Sequence, residues 1–157
     1  MKGFTPGLLD RLMNERSGAP HAGISAEQLK DSIARDLEAL LNTRIAFDAS
    51  LTKSLPAARG SILHYGVIDF AALCLSSSVD RAAICASIEQ AVRAHEPRLR
   101  EIHVTLEQQA GSVNRLHIAI RARLVVDSVH ESVSFDAVLQ PSSLHYDIGK
   151  ATREPGR

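Results

Sequence analysis

The chain has 157 residues, which suffices for one domain with its own hydrophobic core. Its 18 basic and 18 acidic side chains balance, which excludes an overall basic field for nucleic acid or anionic lipid. Two cysteines do not make a disulfide framework, and the sequence shows neither a signal-peptide core nor a run of about 20 apolar residues. We therefore expect a cytoplasmic protein that binds no nucleic acid and does not insert into a membrane.

Residues 1–23 are predicted to form a short helix and a flexible linker. Residues 8–13 place their apolar side chains on one helical stripe, whereas residues 17–23 are rich in glycine, proline and small side chains. A single domain is predicted to follow over residues 24–148. The charged, turn-rich residues 149–157 are predicted to be a disordered tail.

Two longer helices are predicted within the domain. Ser25 and Gln28 have the spacing of a capping box, which predicts a helix that ends near Asn42. The next helix is expected to be capped by Ser78 or Asp80. The inward-facing positions are Leu29, Ile33, Leu37, Leu40 and Leu41 in the first helix, and Ile84, Ile88, Ala91 and Val92 in the second.

The apolar period changes to two beyond residue 100, where three runs of alternating residues predict strands joined by short connections. Their inward-facing residues are Ile102, Val104 and Leu106, then Leu116, Ile118, Ile120, Ala122 and Leu124, then Val133, Phe135, Ala137 and Leu139. The sequence therefore predicts an α+β domain, in which N-terminal helices are followed by a three-stranded antiparallel sheet packed against helices.

No motif for catalysis, metal binding or a cofactor is present. The seven histidines form no HxxxH pattern, and GxSxG, GxxxxGK[ST] and GxGxxG are all missing. His103 and His117 are the one pair that neighbouring strands can bring together, and two histidines would make an incomplete metal site. Glu96 and Asp69 can be nominated as glycosidase acids, but the number of carboxylates alone selects no pair. We predict no catalytic residue, no metal site and no cofactor.

The two edges of a three-stranded sheet carry backbone amides and carbonyls that lack a partner strand. Such an edge can take up an extended strand of another protein. The alternative is an edge that other parts of the chain cover or blunt.

Residues 95–100 read HEPRLR and lie where the helical pattern gives way to the strand pattern. Pro97 stops the helix because it lacks an amide donor and clashes with the preceding turn. Glu96 would end the helix, where the macrodipole disfavours an acid unless a cation such as Arg98 compensates. The extended chain around Pro97 points both side chains to the same side. The two residues indicate either a corner held by a salt bridge or a contact for a partner.

Four stretches, in this order, resemble the TssE family of type VI secretion baseplate wedge subunits, which is related to a small baseplate protein of contractile phage tails. They are residues 7–12 (GLLDRL), 36–44 (DLEALLNTR, with the LLNTR signature), 61–70 (SILHYGVIDF) and 96–99 (EPRL, with the EPR motif). The resemblance extends over roughly residues 5–140.

The resemblance implies a non-catalytic structural subunit that links the wedge core to the contractile sheath and initiates sheath assembly. It implies the wedge subunits TssF, TssG and TssK, the sheath subunits TssB and TssC, and the VgrG hub as partners, at a baseplate on the inner face of the cell envelope. Glu96, Pro97 and Arg98 are the implied partner-binding residues. A lysozyme-like cell-wall glycosidase and a regulatory anti-adaptor of the same fold remain alternatives.

Overall fold

The computed structural model describes residues 3–13, 23–47, 49–52, 54–70, 73–74, 76–108, 116–126, 129–140 and 145–150. Most of the predicted linker, and all of the predicted tail after Lys150, lie outside the described residues. The α-helices are α1 (Leu8–Met13), α2 (Ala26–Leu41) and α3 (Ser78–His95), with three 3-10 helices at Ala49–Thr52, Pro56–Gly60 and Ile62–His64. The strands are β1 (Leu99–Gln108), β2 (Leu116–Val126), β3 (Val129–Gln140) and β4 (His145–Lys150).

Helix α2 begins and ends as its sequence predicts. The Ser25 hydroxyl accepts from the Gln28 amide at 3.2 Å, and the Gln28 side chain accepts from the Ser25 amide at 2.8 Å. These reciprocal bonds satisfy two amides that have no intrahelical acceptor. The helix ends at Leu41, with Asn42 as its C-cap.

Helix α3 is capped by Ser77, so the predicted cap at Ser78 or Asp80 is wrong. The Ser77 hydroxyl accepts from the Asp80 amide at 3.2 Å, while the Asp80 carboxylate accepts from the Cys74 amide at 2.9 Å. Asp80 therefore lies in the first turn of the helix, and its carboxylate binds the Cys74 amide instead of capping the helix. The predicted stop is confirmed, since α3 ends at His95 and the next residue, Glu96, is its C-cap.

The sheet has four antiparallel strands in the order β1-β2-β3-β4, so the prediction of three strands is wrong. The additional strand, β4, pairs Tyr146 with Leu139 and Ile148 with Ala137. Its six residues give too short and too polar a pattern to be recognised, because Tyr146 is its one fully buried residue. Gly149 and Lys150 belong to this strand rather than to the tail.

One face of the sheet packs against α2 and α3 and forms the core with them. The predicted inward-facing residues of both helices and all three predicted strands are buried or partly buried in this core. The buried hydrophobic residues of the described chain that no pattern predicted are Ala34, Val67, Leu99, Ala119 and Tyr146. None of the helices in the described part of the chain is long and apolar enough to cross a bilayer.

The N-terminal segment folds back onto α2. Phe4 and Ile24 form an antiparallel bridge through two amide-to-carbonyl bonds of 2.9 Å. In α1, Asp10 accepts from the Ser32 hydroxyl at 2.6 Å and from the Arg35 guanidinium at 2.5 Å. These contacts place α1 beside the outer side of α2.

Candidate functional site: an ion cluster and cleft at the α3–β1 corner

Glu96, Pro97 and Arg98 form the corner between α3 and β1. Arg98 donates from Nε to Glu96 Oε1 at 2.6 Å, from Nη2 to Glu96 Oε2 at 2.5 Å, and from its backbone amide to Oε1 at 3.2 Å. The predicted pairing of the two side chains is confirmed. Glu96 is 4% exposed, so its carboxylate faces the protein interior. Pro97 is exposed, and Arg98 lies between the interior and the surface.

Arg98 also joins this corner to α2, because its Nη2 donates to Asp36 Oδ2. The two carboxylates hold one guanidinium in a fixed orientation. Burial lowers the pKa of Arg98, but the hydrogen bonds and charges of Glu96 and Asp36 outweigh burial and raise this pKa above its ordinary value. The guanidinium is thus a permanent charge that connects two elements.

Asp36, Glu96 and Arg98 form an ion cluster. A cleft of about 370 Å³ lies beside it, between the N-terminal segment, α2 and the α3–β1 corner. Its lining residues are Gly7, Asp10, Asp36, Leu37, Leu40, Tyr65, His95, Glu96, Pro97 and Arg98. Four of these side chains are charged, and the apolar and aromatic ones include Leu37, Leu40, Tyr65 and Pro97. Such a mixture of apolar walls with a few placed polar groups is typical of binding sites.

The aromatic wall is positioned by the segment between α2 and α3. The rings of Tyr65 and His95 meet edge to face, with centroids 5.2 Å apart. His95 Nε2 lies 3.0 Å from the backbone carbonyl of His64, and His64 Nε2 lies 2.6 Å from the Thr52 hydroxyl. Burial, and then the negative charges of Asp36 and Glu96, raise the pKa of Tyr65. The field of the two acids therefore reaches the aromatic wall.

The sequence identified the EPR residues but missed Asp36, Tyr65 and His95 as parts of one site. Asp36 stands immediately before Leu37 and one turn before Leu40, so it borders the apolar face of α2. An acid at the border of an apolar helix face was the one sequence feature that could have indicated a role for Asp36. No local pattern shows that Asp36 meets a guanidinium 62 residues away.

The outermost strands, β1 and β4, carry helix side chains on their backbone groups. On β1, the Val104 amide donates to Glu89 Oε1 at 3.0 Å. On β4, the Tyr146 amide donates to Asn42 Oδ1 at 2.8 Å, and Asn42 Nδ2 donates to the Tyr146 carbonyl at 2.9 Å. Both edges are therefore partly covered, which is the alternative that the sequence left open.

The histidine pair suggested by the strand pattern does not form. The register of β1 and β2 places His103 opposite Arg121, whereas His117 lies opposite Glu107. The two histidines consequently provide no shared ligand position.

A different group in the described residues has the chemistry of metal ligands. Glu38, His145 and Asp147 place their ligand atoms within 4.8 Å of one another beside the β4 edge. His145 and Asp147 are exposed, and Glu38 accepts from the Ile148 amide at 3.4 Å. Closed structural zinc sites are built from cysteine and histidine, so one imidazole and two carboxylates do not match such a site.

Comparison with known proteins bears directly on this geometry. A sequence profile described as baseplate wedge protein gp25 matches residues 27–129, well over half of the chain. The chain belongs to the baseplate wedge protein gp25 family. The gp25 match begins in α2 and ends at the first residue of β3, so it includes the ion cluster and most of the cleft. The family resemblance indicated by the LLNTR and EPR stretches is confirmed.

A solved structure shares the fold of this gp25 family member. A chain of "The baseplate complex from the type VI secretion system" superposes with a TM-score of 0.51 and 16% sequence identity, over 73% of this chain and 96% of that chain. At this identity the similarity concerns the fold alone. No curated protein matches the sequence at a significant level.

Proposed function

We propose that the chain is a non-catalytic structural subunit of a type VI secretion baseplate wedge, which links the wedge core to the contractile sheath and initiates sheath assembly. The observation that carries the proposal is the cleft beside the EPR corner, in a chain whose family consists of baseplate wedge proteins. The similarity to a chain of a type VI secretion baseplate complex supports the choice of this machine among contractile systems.

The three EPR residues differ in exposure, which indicates different roles. The side chain of Arg98 is 21% exposed and Pro97 is exposed, so a partner can reach both of them. A partner can also reach Asp36, whose side chain is 44% exposed. The Glu96 side chain is 5% exposed and lies behind Arg98. We therefore assign direct contact with wedge subunits to Pro97 and Arg98, and the orientation of Arg98 to Glu96.

The same burial disfavours a glycosidase. A glycosidase needs two carboxyl groups that reach opposite sides of a scissile bond. Both oxygens of Glu96 accept from Arg98, and the residue is 4% exposed. Both oxygens of this carboxyl group are engaged with an arginine, which supports a non-catalytic role for the motif.

For the sheath, the proposal requires that a partner strand replaces a side-chain cap at β1 or β4. Glu89 caps the first edge, and Asn42 and Glu38 cap the second. A backbone amide and carbonyl of an added strand would make the same kinds of hydrogen bond that these side chains make. Strand addition would thus replace these side-chain bonds with backbone bonds.

The wedge contact is tested by co-purification with TssF and TssG from the same secretion system. Arg98→Ala should lose most of the wedge subunits, whereas Arg100→Ala, an exposed arginine two residues along β1, should retain them. Circular dichroism establishes that both variants are folded. Full retention by a folded Arg98→Ala variant would show that the EPR corner is not the docking site.

The sheath contact is tested by measuring how well the wedge complex starts polymerisation of TssB and TssC. A partner strand must displace the cap of the edge that it uses. Removing that cap, with Glu89→Ala for β1 or Asn42→Ala for β4, should therefore raise the rate of initiation. If both variants initiate polymerisation at the native rate, pairing at a sheet edge is not the mechanism.

A further inference from the structure

The charges around the cleft do not cancel. Asp10, Asp36 and Glu96 line it, and the basic side chains that pair with them are Arg98 inside the cleft and Arg35 at its border. Three carboxylates and two guanidinium groups leave one negative charge. The location of that charge decides which partner group the cleft can accept.

Asp36 is the acid with unused hydrogen-bonding capacity. Asp10 uses Oδ1 for Arg35 and Oδ2 for Ser32, and Glu96 uses both oxygens for Arg98. Asp36 accepts from Arg98 through Oδ2, and its Oδ1 has no hydrogen-bond partner among the residues that the structure describes. The Asp36 side chain is 44% exposed, so an incoming donor can reach this oxygen.

The walls of the cleft favour a side chain with an apolar stem. Pro97 is exposed and Tyr65 is partly exposed, whereas the lining residues Leu37 and Leu40 are buried, so a partner side chain can pack on Pro97 and Tyr65. Lysine and arginine combine a methylene stem with a cationic head, and a cation gains further from a nearby tyrosine ring. Asp36 lines the same cleft as Tyr65 and Pro97, which matches this combination of stem and head.

We infer that the cleft receives a basic side chain, arginine or lysine, of a wedge subunit, which pairs with Asp36 while its stem packs on the apolar wall. This inference rests on the proposed function and names the chemistry of its docking site. Arg98 donates to Oδ2 of Asp36 and so orients its carboxylate. The partner's cation would donate to the other oxygen, Oδ1. Burial is the main cause of the raised pKa of Tyr65, and the negative charges of Asp36 and Glu96 add to it.

Binding of purified TssF–TssG complex to the immobilised chain tests the inference. Asp36→Asn removes the charge but keeps the shape, and it should weaken binding by about tenfold or more, as the loss of a close interfacial charge pair does. Asp31→Asn is the matched control, since Asp31 lies on the same helix but pairs with Lys150 at 2.7 Å instead of lining the cleft. The control should bind like the native chain. Equal binding of Asp36→Asn and the native chain would overturn the inference.

A competition experiment keeps the test decisive if Asp36→Asn does not fold. Arginine amide should displace the native chain from the wedge complex, while citrulline amide, which replaces the guanidinium with a neutral urea, should not at equal ionic strength. Equal effects of the two compounds would contradict a cation site. If the native chain does not bind the wedge complex at all, the proposed function fails together with the inference. If it binds, and neither Asp36→Asn nor arginine amide weakens binding, only the inference fails.

Discussion

Arg98 is the residue on which the proposed site depends, because it connects the α3–β1 corner to Asp36 on α2. The arginine is held by two carboxylates of very different exposure, 5% for the Glu96 side chain and 44% for that of Asp36. The sequence offered two interpretations of the EPR residues, a salt-bridged corner and a contact. At the scale of single residues the two interpretations are compatible. The buried Glu96 orients Arg98 within the corner, and Arg98 also pairs with Asp36, which is exposed to a partner.

Glu96→Ala should destabilise the fold by about 3 kcal/mol, because it leaves a partly buried guanidinium without its main partner. Urea denaturation measures the loss. Glu101→Ala is the control, since Glu101 forms an ion pair with Arg123 in which both side chains are at least half exposed. Such a pair contributes less than about 1 kcal/mol. Equal destabilisation by the two substitutions would show that Glu96 does not support Arg98.

Glu101 has a second property, a backbone φ of +50° at the point where the β1–β2 register shifts. Side chains other than glycine disfavour this conformation by about 1 kcal/mol. Glu101→Gly should therefore unfold at a higher urea concentration than Glu101→Ala, since both lose the ion pair and only glycine relieves the strain. A more stable alanine variant would contradict this explanation.

Tyr146 is 1% exposed, and its hydroxyl has no hydrogen-bond partner among the described residues. A buried hydroxyl without a partner is unfavourable, so Tyr146→Phe should be more stable than the native chain by about 1 kcal/mol in urea denaturation. Tyr65→Phe, at a partly exposed tyrosine, should change stability little. A clear loss of stability in Tyr146→Phe would show that the hydroxyl is bonded.

The same residue predicts a dependence on alkaline pH. Burial raises the pKa of Tyr146 above its ordinary value, although Arg44 partly opposes the shift. Above pH of about 10 the unfolded chain therefore ionises this tyrosine first, and the folded state loses stability as the pH rises. Tyr146→Phe should lose less stability than the native chain over this range, as measured by urea denaturation at several pH values. An unchanged pH dependence would refute the assignment.

At the scale of elements, β4 is attached to α2 by side chains as well as to β3 by its backbone. Asn42 bonds both backbone groups of Tyr146, and Lys150 at the end of the strand lies 3.0 Å from Glu27 and 2.7 Å from Asp31. These contacts explain how a polar strand of six residues is held at the edge of the sheet.

Asn42→Ala should loosen β4 because it removes two hydrogen bonds from partly buried groups, with an expected loss of about 2 kcal/mol. Amide hydrogen exchange should show faster exchange at Tyr146, whose amide donates to Asn42. Gln90→Ala, at an exposed amide side chain of α3, is the control and should leave the exchange of β4 unchanged. Unchanged exchange at Tyr146 in Asn42→Ala would show that the cap does not hold the strand.

The elements also show what local sequence can predict. Helices α2 and α3 and strands β1 to β3 follow from apolar periods of 3.6 and 2, and Pro97 sets the end of α3. Strand β4 does not, since its place depends on pairing with β3 and on Asn42, a residue 104 positions away from Tyr146. The Ser77 cap was missed for a related reason, because the competing bond from Cys74 to Asp80 lies outside the helix pattern.

At the scale of the whole molecule, the EPR stretch could be recognised from sequence, whereas the site around it could not. Asp36, Tyr65 and the N-terminal Asp10 come from three separate segments and meet Arg98 only in the folded chain. Long-range contacts of this kind leave no periodic signal in the sequence. The cleft residue Arg98 directly precedes the outer strand β1, so the EPR stretch and this strand are adjacent in the chain.

The most direct test is a cryo-electron microscopy structure of the wedge that contains this chain, resolved well enough to place side chains around Arg98. The proposed function predicts that a wedge subunit fills the cleft and buries Pro97, and the further inference predicts that this subunit brings a basic side chain to Asp36. A wedge in which the cleft is open to solvent, with the chain held through other surfaces, would contradict the central claim.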